Sequence, residues 1–265
     1  MTRILHISDT HFGTVLVEVE QALLTLAKKL QPDIIVLSGD ITQRARRSQF
    51  AAASDFIKAL PAPVLAVPGN HDIPLFNLVA RSLWPYANYR RAINRNLAPE
   101  YETDQLLLLG VNSSRPKRHI DGELSSKQIQ YISNRLSAAS ANQLKVVTFH
   151  HPVRAVEEKD IDNLVHGHEK AVSTWVDAGL DLLLAGHIHL PYVHKLSGAE
   201  RYGWTAQAGT ALSWRLRDQQ ANSVNVIEHR LQNDHHQCHI QRWDFQTNSE
   251  QFVCCHEQPL ALSRE

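Results

Sequence analysis

The chain has 265 residues, enough for one large α/β domain or two small ones around a substantial core. Lys+Arg and Asp+Glu both number 27, a balance that offers no support for a nucleic-acid backbone or an anionic membrane as partner. Its 16 His are the one compositional bias, and neutral imidazole is the commonest metal ligand near neutral pH.

Met1-Thr2-Arg3-Ile4-Leu5-His6 runs directly into a strand-like stretch with no long apolar leader core, and no segment reaches the roughly 18–20 apolar residues of a membrane span. Arg3–Ser8 reads as a short strand. After it, Leu16, Val19, Leu23, Leu26 and Leu30 form one stripe of an amphipathic helix that Pro32 ends. Asp33–Leu37 is a continuous apolar run suited to a strand covered on both faces, which completes a βαβ unit. A helix around Gln49–Leu60 and a strand over Pro63–Val67 repeat the pattern, and Leu144–Phe149 and Leu180–Leu184 are later buried strands.

From Pro191 the character changes. Tyr192–Leu196, Tyr202–Ala208, Ser223–His229 and Cys238–Phe245 read as successive strands without helices, an antiparallel extension packed on or beside the first sheet. No linker composition marks the change, so residues 1–265 are expected to form a single domain. Pro74–Asp104 reads as a long helical insertion, and Ser113–Glu123 as a polar, basic one. The three Cys (Cys238, Cys254, Cys255) are too few and too late for a disulfide framework, which points to a reduced, cytoplasmic setting. His235, His236, His239 and His256 lie near them, but without a C-x-x-C pairing they are expected on polar faces of paired strands, with the vicinal Cys near a frayed end.

Five clusters follow the buried strands: Asp9-Thr10-His11, Gly39-Asp40, Gly69-Asn70-His71-Asp72, His150-His151-Pro152 and Gly186-His187-Ile188-His189. Residues just past the carboxyl ends of strands are where open α/β sheets place their ligands. Each cluster alone fits a turn or a surface patch. Together they offer carboxylate and amide oxygens from Asp9, Asp40 and Asn70 and imidazoles from His11, His150, His187 and His189. That mixed donor set suits Mn, Fe or Zn better than Mg or Ca. Strand alternation would give Asp9 and His11 one direction and His150 and His151 opposite ones, so only one of that pair should be a ligand.

These blocks resemble the signature of the calcineurin-like metallophosphoesterase superfamily, D-x-H, G-D, G-N-H-D/E, H and G-H-x-H, in the same order from Asp9 to His189. The resemblance implies a four-layer α/β/β/α sandwich of two mixed β-sheets flanked by helices, with a dinuclear centre at one edge. It assigns Asp9, His11, Asp40 and His189 to one ion and Asp40, Asn70, His150 and His187 to the other, with Asp40 bridging. Of the adjacent pair it favours His150 and leaves His151 as a pocket residue. It makes His71 a catalytic residue that contacts the phosphate and protonates the leaving oxygen, with Asp72 fixing its tautomer.

The implied reaction is hydrolysis of a phosphate ester by in-line attack of a metal-bound hydroxide. The layout most resembles class III cyclic-nucleotide phosphodiesterases, which makes a small diester the expected substrate. Trp84, Tyr86 and Tyr89 beside Arg81, Arg90 and Arg91 could wall a nucleotide site, cover the sheet as an ordinary helix, or pair two copies in a homodimer. The alternatives are a pyrophosphatase for a nucleotide-linked lipid or sugar, entered past Val79, Leu83, Trp84 and Leu97, and an inactive binding scaffold. Asp72 in place of Glu argues against a protein phosphatase.

Overall fold

The computed structural model describes residues 1–233 and 235–264. In chain order the strands are β1 (Thr2–Ile7), β2 (Ile34–Leu37), β3 (Val64–Ala66), β4 (Glu100–Thr103), β5 (Leu106–Gly110) and β6 (Leu144–Thr148). There follow β7 (Leu182–Ala185), β8 (Tyr192–Ser197), β9 (Tyr202–Gln207), β10 (Ser223–Gln232), β11 (His235–Gln246) and β12 (Gln251–Pro259). The helices are α1 (Val17–Leu30), α2 (Arg47–Ala59), α3 (Leu78–Leu83), α4 (Ala87–Ala92), α5 (Ser126–Ala138) and α6 (His168–Asp177). Two mixed six-stranded sheets result, ordered β12-β11-β10-β1-β2-β3 and β4-β5-β6-β7-β9-β8.

Period-two alternation sorts the buried strands into three apolar layers. Ile4, Ile34 and Val36 of the first sheet face Leu106, Leu108, Val146 and Leu184 of the second, and this inner cluster joins the sheets. Their neighbours Leu5, Ile35 and Leu37 point outward onto Val19 and Leu23 of α1 and Phe50 and Phe56 of α2. Leu107, Leu109 and Val147 likewise turn outward, onto Ile129 and Leu136 of α5 and Trp175 of α6. Strands covered on both faces explain why the sequence reads there as unbroken apolar runs.

Local signals fix the element ends. Helix α1 stops where Gln31 turns left-handed (φ 46°), just before Pro32. Helix α5 opens on a capping box, with Ser125 Oγ accepting from the Gln128 amide and Gln128 Oε1 accepting from the Ser125 amide.

Three expectations need correction. Residues 74–104 are not one long helix. Asn77 caps the six-residue α3, Pro85 separates it from α4, and the chain beyond Pro99 becomes the edge strand β4. The late strands do not form a single antiparallel extension: β10 to β12 lengthen the first sheet beyond β1, whereas β9 pairs parallel to β7 in the second. Cys254 and Cys255 lie inside β12, which pairs with β11 as far as Pro259, so that segment is not a frayed end. Strands β5 and β12 and helix α5 also went unpredicted, although Leu106–Leu109 and the Ser125/Gln128 box were visible signals.

Leu108 is fully buried between the sheets and Leu83 is 61% exposed. Leu108→Ala should therefore destabilise the fold by ~2–5 kcal/mol in chemical denaturation, against under ~0.5 kcal/mol for Leu83→Ala.

Candidate metal centre

All five clusters lie at the carboxyl ends of parallel strands. Asp9-Thr10-His11 follows β1, Asp40 follows β2, a short 3-10 turn over Asn70–Asp72 follows β3, His150 follows β6, and His187 and His189 follow β7. The inner packing of the two sheets brings these ends together.

The backbone here departs from strand geometry. Asp9 (φ 53°), His11 (φ 46°), Asp40 (φ 47°), His187 (φ 79°) and His189 (φ 57°) are all left-handed. Such conformations cost a non-glycine residue free energy and persist where the surroundings over-determine them. Here the Asp9 amide donates to Gly39 O (3.1 Å), the His11 amide to Asp40 O (3.0 Å) and the His187 amide to Asp9 Oδ2 (2.9 Å). Asp9 and His11 converge through these turns, and not through the alternation of an extended strand.

The donor atoms of Asp9, His11 and His189 lie within 4.8 Å of one another, as do those of Asp40, His150 and His187. His11 Nε2 is 3.9 Å from Asp40 Oδ2 and His150 Nε2 is 3.3 Å from Asp40 Oδ1, so Asp40 stands between the two groups. Asn70 joins the second: its Nδ2 donates to His119 O (3.3 Å), which turns Oδ1 inward, 3.2 Å from His150 Nε2.

These residues fit a metal on their own chemistry. His150 Nδ1 meets Ser38 O at 2.9 Å and His189 Nδ1 meets Arg215 O at 2.8 Å, so each Nδ1 carries a hydrogen and each Nε2 is the atom turned toward the other donors. His189 Nε2 then faces His11 Nε2 at 3.1 Å, and His150 Nε2 faces His187 Nδ1 at 3.3 Å. Ring nitrogens at these distances share a proton, and a cation can take its place. Asp9 Oδ1 is buried with no hydrogen bond at all.

Electrostatics prepare the same centre. Burial pushes His11 and His187 down to about 3, so both are neutral at physiological pH, the form in which imidazole can bind a metal. Burial works to raise Asp40, but His150 and His71 beside it hold its carboxyl well below the ordinary range. Burial opposes charge on His150 while Asp40 draws it up to about 9, so an arriving cation must displace a proton from that pair. His151 is held well below its usual value by burial, and both its nitrogens are occupied, Nδ1 by Ser113 Oγ (2.8 Å) and Nε2 by Ile120 O (2.9 Å). It buttresses His187, with ring centroids 4.7 Å apart.

Glycines make room for these approaches. A Cβ on Gly186 would collide with Ser8 Oγ and Asp9 Oδ2, and one on Gly69 with the Asp40 amide and carboxylate.

The role expected of Asp72 changes. His71 sits in a 3-10 turn; its Nε2 is 4.0 Å from Asp40 Oδ2 and its amide donates to Asp40 Oδ1 (2.8 Å). Its Nδ1 is oriented by Gln43 O (2.9 Å), and Asp72 is not its partner. Asp72 instead accepts from the amides of Gly69, Ile41 and Thr42, tying the β3 turn to the β2 turn. Burial and neighbouring Asp40 push it up to about 6.

A cleft of about 710 Å³ opens over Asp40, Asn70, His71, His187 and His189. A recess of about 270 Å³ continues past Asn70 and His71 to Gln43, Arg44 and His119. Of the alternatives for residues 81–91, the nucleotide wall is not found: none of these residues lines either space. Tyr89 is in the core with its hydroxyl on Ala66 O, Tyr86 bonds Ser114 O, and Arg81 is buried among the carbonyls of Pro74, Pro116 and Arg118. The long wall comes instead from the turn at 158–163 and the loop carrying Ser213-Trp214-Arg215-Leu216-Arg217. Trp214 beside Arg215 and Arg217 was the overlooked signal.

The family model for the calcineurin-like phosphoesterases matches residues 2–191. The chain belongs to this family. Among its curated relatives, a probable cyclic nucleotide phosphodiesterase of Synechococcus is 28% identical over 63% of this chain and 61% of its own length. A probable glycerophosphodiester phosphodiesterase of Arcobacter nitrofigilis is 26% identical over 61% of this chain and 58% of its own. The chain thus spans about three fifths of those relatives. A dimetal phosphatase from Danio rerio superposes with a TM-score of 0.69 over 99% of both chains at 13% identity, a likeness of fold.

Asp40→Ala should lose metal from both groups when bound metal is measured on the purified protein. Gly186→Ala, which displaces Asp9 without removing a donor, should weaken metal affinity roughly 10–100-fold in a chelator competition.

Proposed function

We propose that the chain is a metal-dependent phosphodiesterase acting on a small diester, a cyclic nucleotide or a related ester. The observation that carries this reading is the pair of donor groups meeting at Asp40 on the floor of an open cleft. Asp9, His11, Asp40 and His189 would hold one cation and Asp40, Asn70, His150 and His187 a second, of Mn, Fe or Zn type. Two such cations supply the positive charge that activates water and neutralises phosphoryl oxygens.

The chain's own residues do the rest. Asp40, kept ionised, holds the two halves of the centre together. His71 stands at the cleft with a side chain 20% exposed, whereas those of His11 and His150 are essentially buried. With Nδ1 spent on Gln43 O, its Nε2 is free to bind the phosphoryl group and to pass a proton to the leaving oxygen. Asp72 acts one step back, locking the turn that presents Asn70 and His71.

Both curated relatives are named as phosphodiesterases, which supports a diester. Nothing specific favours a lipid-linked pyrophosphate: Val79, Leu83 and Trp84 are exposed but do not line the cleft, and Leu97 packs on the core. An inactive scaffold would have no need of seven converging donors and an accessible His71. No helix among the described residues is long and apolar enough to cross a membrane.

The test is Mn-reconstituted protein assayed on bis-p-nitrophenyl phosphate, p-nitrophenyl phosphate, cyclic AMP and a glycerophosphodiester. Diesters should turn over faster than the monoester; the reverse order, or no turnover by fully loaded protein, refutes the proposal. His71→Ala should keep its metal and lose roughly 10²–10⁴-fold in kcat.

A further inference from the structure

The cations around the cleft are not equivalent. Arg217 is committed to carboxylates, 2.5 Å from Glu157 and 2.8 Å from Asp160, with a third bond to Ile188 O. Lys159 bridges Glu157 (3.0 Å) and Asp218 (3.1 Å). Arg215 has no carboxylate partner among the described residues; its one side-chain bond is to the neutral amide oxygen of Gln43 (3.0 Å). It therefore keeps an uncompensated charge within the cleft that opens over Asp40 and His71.

Its placement is fixed from both sides. Arg215 O orients His189, and Gln43, which holds the guanidinium through its side chain, orients His71 through its carbonyl. Arg215 thus spans the cleft from a candidate metal ligand to the candidate proton donor. Trp214, the preceding residue, lines the same cleft with 61% of its surface exposed. An indole this exposed is not part of the core.

The loop beneath is rigid. Ser213 Oγ bonds Thr14 Oγ1 (2.8 Å), the Trp214 amide donates to Thr14 O (3.1 Å), and Asn222 Nδ2 donates to Ser213 O (2.9 Å). The Arg217 ion pairs pin its far end. The backbone that presents Trp214 and the guanidinium of Arg215 are therefore positioned before any ligand arrives, which lowers the ordering cost of binding.

We infer that this loop reads the substrate: Arg215 clamps the phosphoryl oxygens and Trp214 stacks on a planar base, so the site selects nucleotide esters over esters of aliphatic alcohols. Guanidinium suits phosphate through its fixed fork of donors, and an indole face accepts any nucleobase. The loop lies beyond residue 191, where the family match ends, so this discrimination belongs to the chain's own C-terminal part. It rests on the phosphodiesterase reading for the site's location and is tested by binding, without turnover.

The experiment is calorimetric titration of the metal-loaded protein with AMP, ribose 5-phosphate and inorganic phosphate, for the wild type, Trp214→Ala, Arg215→Gln and Arg215→Lys. Metal content and circular dichroism confirm that each variant is folded and loaded. Wild type should bind AMP on the order of tenfold more tightly than ribose 5-phosphate, and Trp214→Ala should abolish that difference. Arg215→Gln should weaken all three ligands by roughly 10–100-fold, with partial recovery in Arg215→Lys. Equal wild-type affinity for AMP and ribose 5-phosphate, a preference that survives in Trp214→Ala, or unchanged binding in Arg215→Gln overturns the inference. A protein that binds as expected yet hydrolyses no diester would overturn the proposed function and leave the loop's role standing.

Discussion

Asp40 is the point on which the structure turns. It sits in the turn after a central strand, left-handed at φ 47°, with one carboxylate oxygen toward His11 and the other toward His150. A fully buried carboxylate is expensive unless charge or hydrogen bonds compensate it. The His71 amide and the surrounding imidazoles do so, and Gly39 and Gly69 supply the space in which they approach. A cation placed between such groups would compensate the buried negative charge and take the place of the proton on His150.

Three of the rings at the centre are aimed by backbone carbonyls. Ser38 O holds His150, Arg215 O holds His189 and Gln43 O holds His71. Ser38 is itself braced from inside the sandwich, where its hydroxyl meets His6 Nε2 at 2.8 Å and His6 Nδ1 meets Asn225. Burial keeps His6 down to about 3, a neutral ring that accepts and donates within this chain of contacts. The packed interior between the sheets therefore reaches the ligands through hydrogen bonds and through apolar contact alike.

Floor and walls of the cleft have different origins. The floor is made of strand-end turns whose positions follow from the sheet topology. The walls come from loops at 158–163 and 213–217, stapled to each other by Arg217 and Lys159 across Glu157, Asp160 and Asp218. In residues 81–91, which also carry aromatic and basic groups, Arg81, Tyr86 and Tyr89 are spent on the core and on carbonyls, and the exposed Trp84, Arg90 and Arg91 do not line the cleft. Composition alone does not separate the two segments.

The amino-acid sequence by itself determined the strands that carry the chemistry and the residues that end them. Apolar runs bounded by Gly-Asp, Gly-Asn-His-Asp and Gly-His-Ile-His are local signals, and local signals survive without knowledge of partners. Asp9, His11, Asp40, Asn70, His150, His187 and His189 were legible as candidates in this way, and the fold brings them to one sheet edge. What tertiary structure alone decided was every relation between distant segments. It passed Asp72 to the amides of Ile41 and Thr42, assigned Arg81 and Tyr89 to the interior, and set Trp214 and Arg215 over the cleft. The physical reason is that a polar side chain goes where an unpaired partner waits, and those partners are backbone groups whose positions exist only once the two sheets have closed on each other.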